Sequence, residues 1–283
     1  MLSPIRLMLR MACDISRCTT SRESVAGMWC EPRAGITRSK SLVAHLSPDL
    51  VWITDYRYIL PPSIIAEPRL GAVNLHPSLL PKYRGRAPIN WAIIHGEKRL
   101  GLTAHFVDEG VDSGDIIEQV SYELTMEQDV GDALDALYPL YRELTRRVID
   151  RLATGDVARI RQDHSLATVF PRRKPEDGRI DWRVPRRSVW NLIRAVAHPY
   201  PGAFTSGAGK RLTIWKARES DHRAPLDTLP GTITSIDDEG LHVQCGDGAL
   251  LLTQIEHGSG ESAALWEGAV LGDGEGPCET VSG

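Results

Sequence analysis

The sequence predicts an α/β chain: a doubly wound, Rossmann-like domain followed by a small β-barrel-like, OB-like domain. Three observations carry that expectation. Residues 50–54 (LVWIT) are an unbroken apolar run, the pattern of a strand buried on both faces of a sheet. Between 129 and 152, Leu134, Leu137, Leu140, Tyr141, Leu144 and Val148 recur at helical spacing, which predicts a long amphipathic helix whose stripe is core rather than site. From Lys210 onward, the runs RLTIWKA, GTITSI, LHVQC and ALLLTQI alternate with Gly/Asp turns, as short strands of a small all-β unit do.

Residues 1–38 fit this plan least. A doubly wound domain opens on a buried strand, a Gly-bearing turn and a helix. This segment has no clean β-rich run, and Arg6 and Arg10 interrupt its apolar residues. The same arginines break any secretory h-region. The Arg/Ser-rich, acid-poor composition is somewhat like a transit peptide; the plainer expectation is that the chain as given starts downstream of the true first residue.

The main segment is read as 39–170. Residues 41–46 end a helix, and Ser47-Pro48-Asp49 turns the chain into the strand at 50–54. Tyr58, Ile59 and Leu60 follow at its carboxyl end, where open α/β sheets bind ligands, although Ile59 and Leu60 read equally well as core. A second strand carries Asn74 and His76, two residues apart and so on one face. Pro77 and Pro81 stop regular structure directly afterwards, with Leu79 and Leu80 anchoring the loop. Residues 87–95 (APINWAIIH) read as a helix with Pro88 in its first turn and an inward face of Ala87, Trp91 and Ile94. Lys82, Arg84 and Arg86 cluster just ahead of it, as a solvated basic loop or an anion site. A strand over 102–107 then runs into an acidic turn from Asp108 to Asp115. If it neighbours the strand of His76, one of these carboxylates reaches the imidazole. Residues 171–204 form a linker with a closing helix at 188–197 and a rigid turn from His198 to Gly202. The β-rich domain spans 205–262 and a flexible tail 263–283.

Composition narrows the class. An apolar content of 42% with 25% charged residues is that of a soluble globular protein, and no apolar run is long enough to span a membrane. The five cysteines, at 13, 18, 30, 245 and 278, are scattered and lack C-x-x-C or ligand-like His spacing. That argues for a reducing cytoplasm and against a structural metal. A net charge of −4 provides no general field for nucleic acid.

Asn74 and His76 together supply an amide donor and an imidazole that titrates near neutrality, the pair needed where an oxyanion develops and a proton must move. N-x-H alone is weak. Residues 74–93, NLHPSLLPKYRGRAPINWAI, followed by DEGVDSGDII at 108–117, make it specific. The chain resembles the formyltransferases that use 10-formyltetrahydrofolate, a family that includes methionyl-tRNA, glycinamide ribonucleotide and sugar N-formyltransferases. The resemblance runs from about residue 41 to about residue 261. It implies a catalytic set of Asn74, His76 and Asp112, the last being the Asp before a small residue and Gly. It also implies formyl-folate contacts from Tyr58, Ile59, Leu60 and Arg86, and from the loop Asp108, Glu109, Gly110, Val111 and Asp112. The implied co-substrate is 10-formyltetrahydrofolate, with no metal. Asp115 is read as a cap of the next segment, and the other eight histidines, His95, His105 and His198 among them, as structural. A first strand and helix precede the matched part in the family, and here they are read as missing or divergent.

Two acceptors compete. The stretch NLIRAVAHPYPGAF (191–204) resembles the sugar group, notably the domain that formylates UDP-4-amino-4-deoxy-arabinose. From Pro201 to the end, five Lys and Arg stand against thirteen Asp and Glu, a poor platform for tRNA phosphates. The expectation is therefore a small-molecule acceptor, a nucleotide-linked amino sugar. Initiator methionyl-tRNA is the alternative, kept open by Arg172, Arg173, Lys174 and Arg179. From another class comes a formylation domain of a larger synthetase, or a binding protein without turnover. A homodimer is compatible with the sequence.

Overall fold

The structure is a computed structural model and describes residues 8–11, 27–30, 43–56, 58–258 and 265–272, the first two stretches as backbone alone. The chain divides into two compact units: residues 1–88, 99–123 and 135–172 in the first, and 89–98, 124–134 and 173–283 in the second.

The first unit is organised on a six-stranded sheet. β1 (Met8–Met11) and β2 (Gly27–Cys30) both lie in the segment that read as having no strand. β1 pairs in parallel with β2 on one side and with β3 (Leu50–Thr54) on the other. The first strand is thus divergent rather than missing, since sheet pairing uses backbone groups that any residue but proline supplies. The helix expected after it falls outside the described residues. β3 matches its apolar run and is buried at all five positions. Val51 and Ile53 pack with Val43, Leu60, Ile64 and Ala72, where α1 (Pro62–Ile65) contributes Ile64.

β4 (Ala72–His76) adds in parallel to β3, and the sheet then changes direction. After β5 (Arg84–Gly85) and α2 (Pro88–Ile94), β6 (Arg99–Phe106) pairs antiparallel with β4, and β7 (Ile116–Glu123) antiparallel with β6. The order is β2-β1-β3-β4-β6-β7. The chain leaves β1 toward β2 and returns to β3 on the other side. That reversal makes the crevice beyond the carboxyl ends of β1 and β3 the ligand position of such a sheet. α3 (Val130–Thr154) is the long helix expected, and it buries Val130, Ala133, Leu137, Leu144, Val148 and Leu152. Leu134, Leu140 and Tyr141 flank that stripe, half-buried. β8 (Val169–Phe170) pairs in parallel with β5.

α2 turns a different face inward from the one expected. Ala87 has φ +52° and lies before the helix, so the phase shifts. Pro88, Ile89, Asn90, Ala92 and Ile93 are the buried positions, while Trp91 is half-buried with the Arg173 guanidinium 4.8 Å above its ring.

In the second unit, α4 (Arg186–Ala195) begins two residues earlier than expected, with the Arg186 N–H on the Asp247 carboxylate at 2.7 Å. Its buried Arg194 donates through Nη1 to the carbonyls of Thr125, Met126 and Gln128. β9 (Ala203–Gly207), β10 (Lys210–Ser220), β11 (Ile233–Asp237), β12 (Gly240–Cys245) and β13 (Gly248–His257) form an antiparallel sheet in the order β11-β12-β13-β10-β9. Residues 265–272, expected in a flexible tail, fold back onto it. Ile233 N–H donates to the Ala269 carbonyl, Leu271 N–H donates to that of Gly231, and Leu271 is buried. The rest of that tail lies outside the described residues. No helix among the described residues is long and apolar enough to cross a membrane.

Candidate active site

The antiparallel register of β4 and β6 puts Asn74 opposite His105 and His76 opposite Thr103. Residues directly opposite share a face, so all four side chains project to one side of the sheet. Thr103, fully buried, donates to the Ser78 carbonyl and accepts from the Leu80 N–H and Gln119 Nε2. It thereby fastens the Pro77–Pro81 loop directly behind His76.

A backbone carbonyl orients each imidazole. His76 Nε2 lies 2.7 Å from the Tyr83 carbonyl, which can only accept, so Nε2 carries the proton and Nδ1 is the basic nitrogen. That nitrogen faces Asp112 Oδ2 at 3.5 Å. His105 Nδ1 likewise donates to the Phe106 carbonyl at 2.8 Å, which turns Nε2 toward Asn74 and Asp112. The Asn74 amide nitrogen lies 3.2 Å from His105 Nε2 and donates to Asp112 Oδ1 at 3.3 Å. His105, read as structural, therefore sets the orientation of Asn74. The alternation Thr103–His105 was visible in the sequence, but the register that brings it opposite Asn74 was not.

Asp112 is the carboxylate of the acidic turn that reaches this face. It sits at φ +50°, Oδ2 accepts the Gly85 N–H at 2.9 Å, and Oδ1 lies 3.5 Å from His105 Nε2. Burial raises its pKa, but His105, His76 and the Gly85 N–H outweigh that and hold the carboxyl well below its ordinary value of 3.8. Burial pushes His76 below its ordinary 6.5, against the upward pull of Asp112 and the Tyr83 carbonyl, and His105 lowers it further. The resting pair is a carboxylate beside a neutral imidazole.

The rival acids have other work. Asp108 Oδ1 accepts from the Gly110 N–H and the Ser113 hydroxyl, which shapes the turn, and Asp115 lies 3.8 Å from Arg159. Glu109, Gly110 and Val111 are exposed. Of the expected folate contacts at the end of β3, Tyr58 and Ile59 are exposed (Ile59 at 72%), whereas Leu60 is core. Tyr56 and Val107 pack on the same apolar cluster, so the chain leaving β3 and the chain leaving β6 border one core. Arg86 is exposed, but Arg84 is buried against Gln162 and His164, so the three-cation cluster does not form. His95 bonds the Trp91 carbonyl and His198 stacks on Trp215, both far from this chemistry in role. Among the described residues no group of three or more His, Cys, Asp or Glu is arranged to hold a metal.

The chain matches two family models, formyl transferase over residues 22–148 and formyl transferase, C-terminal domain, over residues 172–267. It is 37% identical over 238 residues to the methionyl-tRNA formyltransferase of Acetivibrio thermocellus, covering 83% of this chain and 76% of that protein. Among solved structures it resembles HypX from Aquifex aeolicus in complex with tetrahydrofolic acid (18% identity, TM-score 0.64), covering 90% of this chain. The chain spans 44% of the length of HypX. It also resembles WlaRD, a sugar 3N-formyl transferase solved in the presence of dTDP and 5-N-formyl-THF (14% identity, TM-score 0.61, 89% of this chain and 98% of that one). The chain belongs to the formyltransferase family.

Proposed function

We propose that this protein transfers the formyl group of 10-formyltetrahydrofolate to the amine of an aminoacyl-tRNA, methionyl-tRNA. The observation that supports the acceptor is the 37% identity, across most of the chain, to an enzyme named for that substrate. The likeness to the sugar formyltransferase, at 14% identity, speaks to the fold alone. The C-terminal family domain, taken whole, is neutral rather than acidic, so charge does not single out a sugar. Within 172–267, thirteen Lys and Arg balance thirteen Asp and Glu. The basic stretch from Arg172 to Arg194 offsets the acids that follow Pro201, and the acids at 273, 275 and 279 lie outside the domain. The amino-sugar acceptor keeps one supporting feature, the HPYPGAF sequence at 198–204.

The donor supplies an activated formyl carbon. As the acceptor amine bonds to that carbon, its nitrogen must lose a proton, and His76 Nδ1 is the basic atom free to take it, because Nε2 is committed to Tyr83. The imidazolium so formed faces the Asp112 carboxylate, which stabilises it and holds the ring. One hydrogen of the Asn74 amide can turn from its long contact to the oxygen gaining charge; Asp112 keeps the Gly85 donor when it does. His76 then returns its proton to the departing folate nitrogen, leaving tetrahydrofolate and the N-formyl product.

The test is formyl transfer from 10-formyltetrahydrofolate to initiator methionyl-tRNA and to dTDP- and UDP-linked amino sugars, at two ionic strengths. Formylation of the tRNA is expected, with log K falling by about 0.7–0.9 per log salt for each phosphate neutralised. Turnover of an amino sugar with none of the tRNA would overturn the acceptor assignment.

A further inference from the structure

We infer that Gln162, clamped by the buried Arg84, is the positioning residue that holds the Asp112 turn against His76. Nothing in the catalytic set assigned above includes either residue, and the inference rests on the formyl-transfer reading of that set. Gln162 is 4% exposed and its amide is saturated. Oε1 accepts from Arg84 Nε at 3.2 Å and from Arg84 Nη2 at 2.6 Å. Nε2 donates to the Asp112 carbonyl at 2.9 Å and to the Gly114 carbonyl at 2.7 Å. The orientation is forced, because a guanidinium only donates. With Oε1 turned to Arg84, both amide hydrogens must face the turn.

The clamp closes a ring. Arg84 belongs to β5, and the next residue, Gly85, donates its N–H to the Asp112 side chain. One strand therefore fixes Asp112 twice, its carboxylate directly and its backbone through Gln162. The ends of the clamp are themselves rigid. The Arg84 N–H bonds the Thr168 carbonyl, and Ile160 exchanges two backbone hydrogen bonds with Ile116, just past the turn. At Gly114 a Cβ would collide with the Phe106 carbonyl, so the turn has no slack there. Without the clamp, Asp112 must hold φ +50°, a conformation that disfavours a side chain, by its own contacts.

The test is a set of variants of the full chain, assayed with 10-formyltetrahydrofolate and whichever acceptor the wild type turns over. Gln162→Glu keeps the shape and the bond to Arg84 but sets a carboxylate oxygen against two carbonyls. The expected result is a kcat lower by about ten- to a hundredfold, the scale of a small misplacement of a reacting group. KM for the folate should change little. The acid limb of kcat/KM should move to lower pH, because the groups facing His76 are Asp112, His105 and the Tyr83 carbonyl, and the one that relaxes is the carboxylate raising its pKa. A merely structural role would lower the melting temperature without moving that limb. Arg84→Lys and Gln162→Met should act through the same clamp, so the double variant should be no slower than the slower single. If Gln162→Met does not fold, Gln162→Glu and Arg84→Lys carry the test. An active wild type with Gln162→Glu unchanged in kcat and in pH profile overturns this inference alone. A wild type that formylates none of the acceptors overturns it together with the proposed function.

Discussion

At the scale of residues, one nitrogen of each imidazole is committed to a backbone carbonyl, which turns His76 Nδ1 toward Asp112 and His105 Nε2 toward Asn74 and Asp112. His76→Gln should therefore lower kcat by about 10²–10⁴-fold, the range of a lost general base, while folate affinity by calorimetry stays near that of the wild type. The acid limb of kcat/KM should lie below 6.5, since burial depresses His76. The same shifts set acid stability. A buried neutral His takes up its proton more readily in the unfolded chain, so stability falls as pH drops through 6.5. Asp112 is held ionised, so its contribution is complete above 3.8 and is lost as pH falls below that value. Urea unfolding as a function of pH should show both components, and Asp112→Asn should remove the lower one.

At the scale of elements, two short features do more than their length suggests. β5 is two residues long, yet Gly85 sits at φ +92° where a Cβ would strike the Phe170 carbonyl, and its N–H holds Asp112. Gly85→Ala should cost about 1–3 kcal/mol in urea unfolding, the scale of a strained backbone, and should reduce transfer as well by displacing that N–H. In the second unit, Arg194 of α4 satisfies three carbonyls of the 125–128 turn that precedes α3. Arg194→Met removes their shared donor and should cost about 1–3 kcal/mol in urea unfolding without altering the pH profile of transfer. Ser220, His242 and Asp237 form a hydrogen-bonded chain, at 2.7 and 2.8 Å, between β10, β11 and β12. Ser220 is buried and also accepts the His222 N–H, so it reads as a pin of the sheet.

At the scale of the whole molecule, the acceptor question is one of electrostatics. The C-terminal family domain is neutral overall, so a tRNA must be met by a local cluster rather than by net charge. Arg172 and Lys174 are exposed beside Arg173, which is occupied over Trp91. Arg172→Ala with Lys174→Ala should weaken kcat/KM for methionyl-tRNA and make its salt dependence shallower by about one to two in slope. An unchanged slope would assign those cations elsewhere.

By itself the sequence determined the α/β class, β3, the strand of Asn74 and His76, the long amphipathic helix and four of the five strands of the second sheet. In each, period and composition are local signals that survive without tertiary context. The motifs at 74–93 and 108–117 also named the residues that the structure brings together, Asn74, His76 and Asp112. It could not reveal β1 and β2, whose short runs become strands through pairing with neighbours, nor β9, nor the return of 265–272 to the sheet. The inward face of α2 was misread because the phase depends on a left-handed Ala87 that composition does not announce. His105, Arg84 and Gln162 were invisible as partners for the same reason. Their roles rest on hydrogen bonds spanning 31, 78 and 50 residues, set by sheet register and chain return rather than by spacing along the chain.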